Sequence, residues 1–218
     1  MQQKIITQTE IYVREIMEGD SSGHDWWHIQ SVLQNARLIC KNTTETVDLF
    51  TIEMAVLLHD IGDYKFHNGD ETVAENMTRQ WLIKFPISAE IIDEICFIVA
   101  NMSYKGGVKD SSMRSLEGKI VQDADRLDAI GAIGIARAFA YGGNKGQAIY
   151  NPEEKDIKDF ESVEAYRKHF GSSINHFYEK LLKLEQLMNT DIGKKIARER
   201  TAFMEQYLDQ FYKEWEGK

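Results

Sequence analysis

Proline is nearly absent: the chain has two in 218 residues. Proline breaks helix interiors, so this composition leaves room for long helices. Cysteine is equally sparse. Cys40 and Cys96 lie far apart and form no CxxC motif, so free thiols in a reducing cytoplasm are expected rather than a disulfide. No stretch approaches the ~20 consecutive apolar residues of a membrane span. The N-terminal residues Met1 to Thr7 lack the apolar core of a secretory leader. A soluble, cytoplasmic protein with no membrane partner is the expectation. Basic residues are in deficit, 26 Lys and Arg against 35 Asp and Glu, giving a formal charge of −9. That balance opposes binding to a nucleic acid polymer, which needs clustered cations. A small phosphorylated substrate stays compatible, because a bound metal reverses the local field.

Hydrophobic residues make up 43% of the chain, enough for a real core. Their spacing is helical throughout, and no strand alternation survives for more than a few residues. Helices are predicted over 3–18, Trp26–Lys41, Ile52–Asp60, a segment ending at Trp81, Ile87–Met102 with Ser88 as N-cap, Arg114–Arg126, Ala129–Ala140, Ser162–Met188 and Asp191–Trp215. Asn68-Gly69-Asp70 reads as a turn, 104–113 as a loop centred on Gly106-Gly107, and 141–156 as the longest loop. The fold class is all-α. One domain is expected over 1–218, with a core at about 20–145 and a C-terminal helical hairpin at about 160–216.

The chemistry centres on His59-Asp60. This pair follows the apolar run Ala55-Val56-Leu57-Leu58 and precedes Ile61, Gly62 and Asp63. Polar groups without partners are costly at such a position, and a divalent cation would offset that cost. His28, at the start of the second helix, and Asp125, late in the Arg114–Arg126 helix, could complete a four-ligand site with open positions for water and substrate. The competing reading makes His28 and His59 hydrogen-bonded core residues and the aspartates helix caps.

Three phrases sharpen the choice. His24-Asp25-Trp26-Trp27-His28, Leu57-Leu58-His59-Asp60-Ile61-Gly62-Asp63 and Asp123-Ala124-Asp125-Arg126-Leu127-Asp128 resemble the HD-domain superfamily of metal-dependent phosphohydrolases, in a small stand-alone bacterial branch. The resemblance spans about 20–145. It implies an HD-type helical bundle with a metal site between core helices and His28, His59, Asp60 and Asp125 as ligands. One divalent ion is implied (Mn, Mg, Fe, Ni, Co or Zn), in some relatives two. Substrates across the superfamily are phosphate esters, including nucleotides, cyclic nucleotides and guanosine tetraphosphate.

The expected function is hydrolysis of a phosphate ester, of a nucleotide or related small metabolite, by metal-activated water. The alternatives are a cyclic-nucleotide phosphodiesterase, a guanosine tetraphosphate hydrolase, or a non-catalytic nucleotide-binding module. Asp63 is the candidate general acid or base, or else caps a turn after Gly62. His24, Lys65, Lys105 and Arg126 are candidate substrate contacts, though each could instead be solvated or paired with a neighbouring acid. His67 could serve a second metal. The segment 99–103 lacks the histidine that related sequences often carry there, so a single metal is favoured. Asp123 and Asp128 point away from Asp125 on a helix, and Asp128 could accept a hydrogen bond just outside the ligand set. Trp26 and Trp27 read as a base-stacking platform or as packing beside His28, and 141–156 as a lid or a connection. The apolar residues Phe203, Tyr207, Leu208, Phe211 and Trp215 of the last helix could cover the core of the same chain or a second copy, leaving monomer and homodimer both open.

Overall fold

The computed structural model describes residues 1–18, 25–62, 72–102, 104, 106–108, 110–154 and 160–218, with the side chain of residue 167 set aside. Among these residues every regular element is helical. No helix among them is long and apolar enough to cross a membrane. Contacts divide the chain into two compact units. The first holds the described residues up to Ala124 apart from 106–108. The second holds 106–108 and everything from Asp125 onward.

In the first unit, α1 (Gln2–Ile16), α2 (Trp26–Asn42) and α5 (Ala89–Asn101) each pack against α3 (Leu49–Leu58), while α4 (Thr72–Leu82) packs against α5. The reason lies in α3 itself: Phe50, Thr51, Ile52 and every residue from Met54 to Leu58 are buried. Only Leu49 and Glu53 of this helix reach beyond the core, so it becomes the axis of its unit. Side-chain caps fix where the helices begin. Asp25, Asp48 and Ser88 each accept a backbone N–H from the first turn of α2, α3 and α5. The Asp48 cap starts α3 three residues before the predicted Ile52. The helix ends at Leu58 with His59 as its C-cap, two residues short of the predicted Asp60.

Cys96 is fully buried and Cys40 half-buried, and both are free thiols. Burial pushes the Cys96 thiol up to about 11, so it stays protonated at neutral pH.

Helix α6 (Leu116–Asp128) runs from the first unit into the second between Ala124 and Asp125. In the second unit, α7 (Gly131–Lys145) and α10 (Asp191–Trp215) pack together. Also here are α8 (Val163–Lys168), α9 (Ser173–Glu179) and a 3-10 helix, Leu181–Leu187, that contacts α9 and α10. Two expectations change. The predicted loop over 141–156 begins five residues later, because α7 continues through Gly142-Gly143 and ends at Gly146, whose φ of 71° suits a glycine cap. The predicted single helix over 162–188 is three short elements. Ser162 and Ser172 each cap a new start, and the Ser173 and Ile174 amides bond back to the Ala148 and Ile149 carbonyls. Tyr150 packs edge-on against Phe211, Tyr212 and Trp215 of α10, with ring centroids 5.0–5.7 Å apart.

Candidate metal centre

His28 sits in the first turn of α2. The Asp25 carboxylate accepts the backbone N–H groups of both Trp27 and His28 at 3.0 Å, so the cap that starts the helix also fixes the main chain of His28. His59 and Asp60 arrive from the C-terminal end of α3. Both imidazoles are buried, 5% and 7% exposed. Their Nε2 atoms lie 3.2 Å apart, and the Asp60 Oδ2 atom is 3.3 Å from the first and 3.6 Å from the second.

These spacings are those of ligands around one cation. Bonds of about 2.0–2.1 Å in a tetrahedral site put neighbouring donors about 3.3 Å apart. The tautomer also fits. The Nδ1 atom of His59 is 2.7 Å from the Val56 carbonyl oxygen, which can only accept, so Nδ1 carries the proton. In the neutral ring Nε2 then keeps its lone pair, on the side that faces His28 and Asp60. Two imidazoles and a carboxylate suit the borderline first-row metals as well as magnesium. Among the described residues this is the one cluster of three or more such side chains able to hold a metal ion.

Gly62 shapes the turn that follows. A Cβ at this position would stand 2.6 Å from the Ala74 Cα and 2.7 Å from its nitrogen. Both are helix backbone atoms that cannot yield cheaply, so only glycine lets the His59-Asp60 turn lie against α4. Gly62→Ala is expected to destabilise the protein by about 1–3 kcal/mol, read as a lower urea midpoint at unchanged slope. An unchanged midpoint would show that the turn does not lie against α4.

The other predicted residues fall in different places. Asp125 lies in the last turn of α6, half-buried, in the second unit. Asp63, His24, Lys65 and Lys105 lie outside the described residues, as do His67 and the turn at 68–70. Arg126 is buried and its Nη1 donates to the Leu187 carbonyl, which gives its guanidinium an anchoring role within the second unit. Asp123 and Asp128 are fully buried. Asp128 takes a 2.7 Å ion pair from Arg137 of α7, and Arg200 of α10 donates to the Leu127 carbonyl at 2.5 Å. Burial lowers the Arg200 pKa from its ordinary value and the nearby Asp128 charge partly restores it. Trp27 is 70% exposed and Trp26 half-buried, so neither tryptophan is a core residue. Sequence reasoning gave no role to Asp25, although an aspartate three residues before His28 at a helix start is a recognisable cap. The Val56 carbonyl leaves no signal in sequence.

A helical unit that brings two imidazoles and a carboxylate together in this way is one that could hold a metal ion. The HD domain family model matches residues 26–130. The chain is 38% identical over 213 residues to YpgQ of Bacillus subtilis, covering 96% of this chain and 93% of YpgQ. It therefore belongs to the HD domain family. Solved structures agree. A Lactobacillus plantarum protein is similar at a TM-score of 0.86 with 39% identity, covering 99% of this chain and 98% of its own. An HD-superfamily hydrolase of Bacillus thuringiensis is similar at 0.75 with 42% identity, covering all of both chains. YpgQ in complex with ADP is similar at 0.74 with 36% identity, covering 98% and 96%.

Proposed function

We propose that this protein is a metal-dependent phosphohydrolase that cleaves a phosphate ester of a nucleotide. The observation that carries the reading is the convergence of the His28 and His59 Nε2 atoms and the Asp60 carboxylate at 3.2–3.6 Å, with the His59 proton held on the far side of its ring. Asp125 joins the donor set from the sequence pattern. The ADP bound by YpgQ supports a nucleotide as the substrate class. Trp27 follows the same logic, an exposed indole next in the chain to His28 against which a base can stack.

When bound, a divalent ion supplies a water acidic enough to yield hydroxide near neutral pH and a charge that offsets the phosphoryl oxygens. The chain's own residues do the rest. The Val56 carbonyl keeps the His59 lone pair on Nε2, and the Asp25 cap holds the backbone of His28. Asp60 adds a negative charge that balances part of the cation's. Asp63 is assigned the proton needed by the leaving oxygen. Asp63→Asn should keep metal affinity and lower turnover by about 10²–10⁴-fold; full turnover would remove Asp63 from the reaction.

The test is a panel of nucleotides, cyclic nucleotides, guanosine tetraphosphate and sugar phosphates. Chelated protein should release nothing, and Mn, Mg, Co, Ni or Zn should restore hydrolysis of a nucleotide. Loaded protein that hydrolyses no member of the panel would overturn the proposal, and tight nucleotide binding without product would replace it with a non-catalytic module.

A further inference from the structure

We propose that Asn35 is a positioning residue for the metal centre, a role that rests on the ligand reading above. The buried stripe of α2 consists of His28, Ile29, Val32, Leu33, Asn35, Ala36 and Ile39. Asn35 stands seven residues after His28, two turns along the same face of the helix. It is 6% exposed. A leucine would fill such a site without needing a partner, whereas a buried amide must be hydrogen-bonded to be tolerated. Its Nδ2 donates to the Ala124 carbonyl of α6 at 3.2 Å. A helix carbonyl has a second lone pair to give to such a bond.

What the amide adds over leucine is direction. A dispersion contact tolerates sliding and rotation of one helix on another; a hydrogen bond to one named carbonyl does not. Buried asparagines at helix interfaces set register in this way, at some loss of stability. The pinned carbonyl belongs to the residue directly before Asp125. Two residues earlier, the buried Gln122 amide donates to the Asn101 and Ser111 carbonyls at 3.4 and 2.8 Å. The turn of α6 that leads into Asp125 is therefore suspended from two side-chain amides, one on the face of α2 that carries His28. Asn35 fixes the axial position and rotation at which the Asp125 carboxylate leaves α6. The precision matters, because about 1 Å of misplacement at such a centre can cost about 10²-fold.

The test compares wild type, Asn35→Leu, Asn35→Ala and Asp125→Ala by Mn²⁺ titration calorimetry and by melting of the metal-free proteins. Asp125→Ala should weaken Mn²⁺ binding. Asn35→Leu should melt at or above the wild-type temperature yet bind Mn²⁺ about 10–100-fold more weakly, the scale on which supports of metal ligands act. Asn35→Ala, which cannot overpack, should show the same loss of affinity with a lower melting point. Wild-type affinity in either Asn35 variant while Asp125→Ala is impaired overturns this role and leaves the ligand assignment standing. Unchanged affinity in Asp125→Ala overturns the assignment of Asp125 and this proposal with it. Failure of both Asn35 variants to fold makes the residue a stability element and also overturns the proposal.

Discussion

His59→Ala is expected to lower metal-dependent phosphate release by about 10²–10³-fold or more, the scale of losing an electrostatic contact to the reacting phosphoryl group. The metal-free protein should keep its helical circular dichroism and melt close to wild type. The reason is the crowding of donors. With no cation bound, His28, His59 and Asp60 hold three polar atoms within 3.6 Å of one another, so removing one ring relieves as much as it loses. Asp60→Asn should behave alike, because it keeps the shape and removes the charge. The alternative, that these are core residues satisfied by one another, makes the opposite forecast: a large fall in metal-free stability and no effect of added metal. Melting curves with and without Mn²⁺ separate the two, since a bound ligand at 100 times its Kd stabilises by about 2.7 kcal/mol.

Arg137→Met carries the largest expected effect on stability. Asp128 is fully buried and meets the Arg137 guanidinium at 2.7 Å. Removing the cation from a buried pair while the carboxylate stays typically costs about 3–5 kcal/mol. Arg137→Met combined with Asp128→Asn removes both members of the pair and should recover part of that loss, with the Arg200 guanidinium that the Asp128 charge supports left as a cation nearby. Urea denaturation of wild type, Arg137→Met and the double variant checks this. A single variant no less stable than wild type would show that Asp128 does not depend on Arg137.

The first unit was legible because its signals are local. The α2 and α5 boundaries fall within two residues of the periodic pattern, and Asp48 moves the start of α3 by a cap that the apolar run conceals. The second unit was less legible, and Gly142 explains part of it. Read as a helix breaker, it ended α7 too early. In the fold it is a contact residue, since a Cβ there would lie 2.1 Å from the Ser173 hydroxyl. A glycine demanded by a neighbouring helix looks the same in sequence as one demanded by a turn. The predicted helix over 162–188 failed for a related reason. The chain breaks near Gly171, where the Ser172 hydroxyl caps α9 and the Ser172 amide donates to the Glu154 side chain. Glu154 is 18 residues away, beyond the reach of any periodic window.

At the metal centre the residue types were readable and their supports were not. His28, His59 and Asp60 stand out by chemistry and by the motifs they share with HD domains. The Val56 carbonyl that sets the tautomer and the Ala74 backbone that requires Gly62 are main-chain atoms of other turns. Asn35 drew no reading from the sequence, because the carbonyl its amide meets belongs to another helix, 89 residues away.

Anomalous diffraction from crystals loaded with Mn²⁺ locates the ion against its ligands. One peak is expected about 2.0–2.3 Å from the Nε2 atoms of His28 and His59 and from an Asp60 carboxylate oxygen, with His59 Nδ1 still on the Val56 carbonyl. A peak at any other group of residues, or no peak at saturating Mn²⁺, would contradict this assignment.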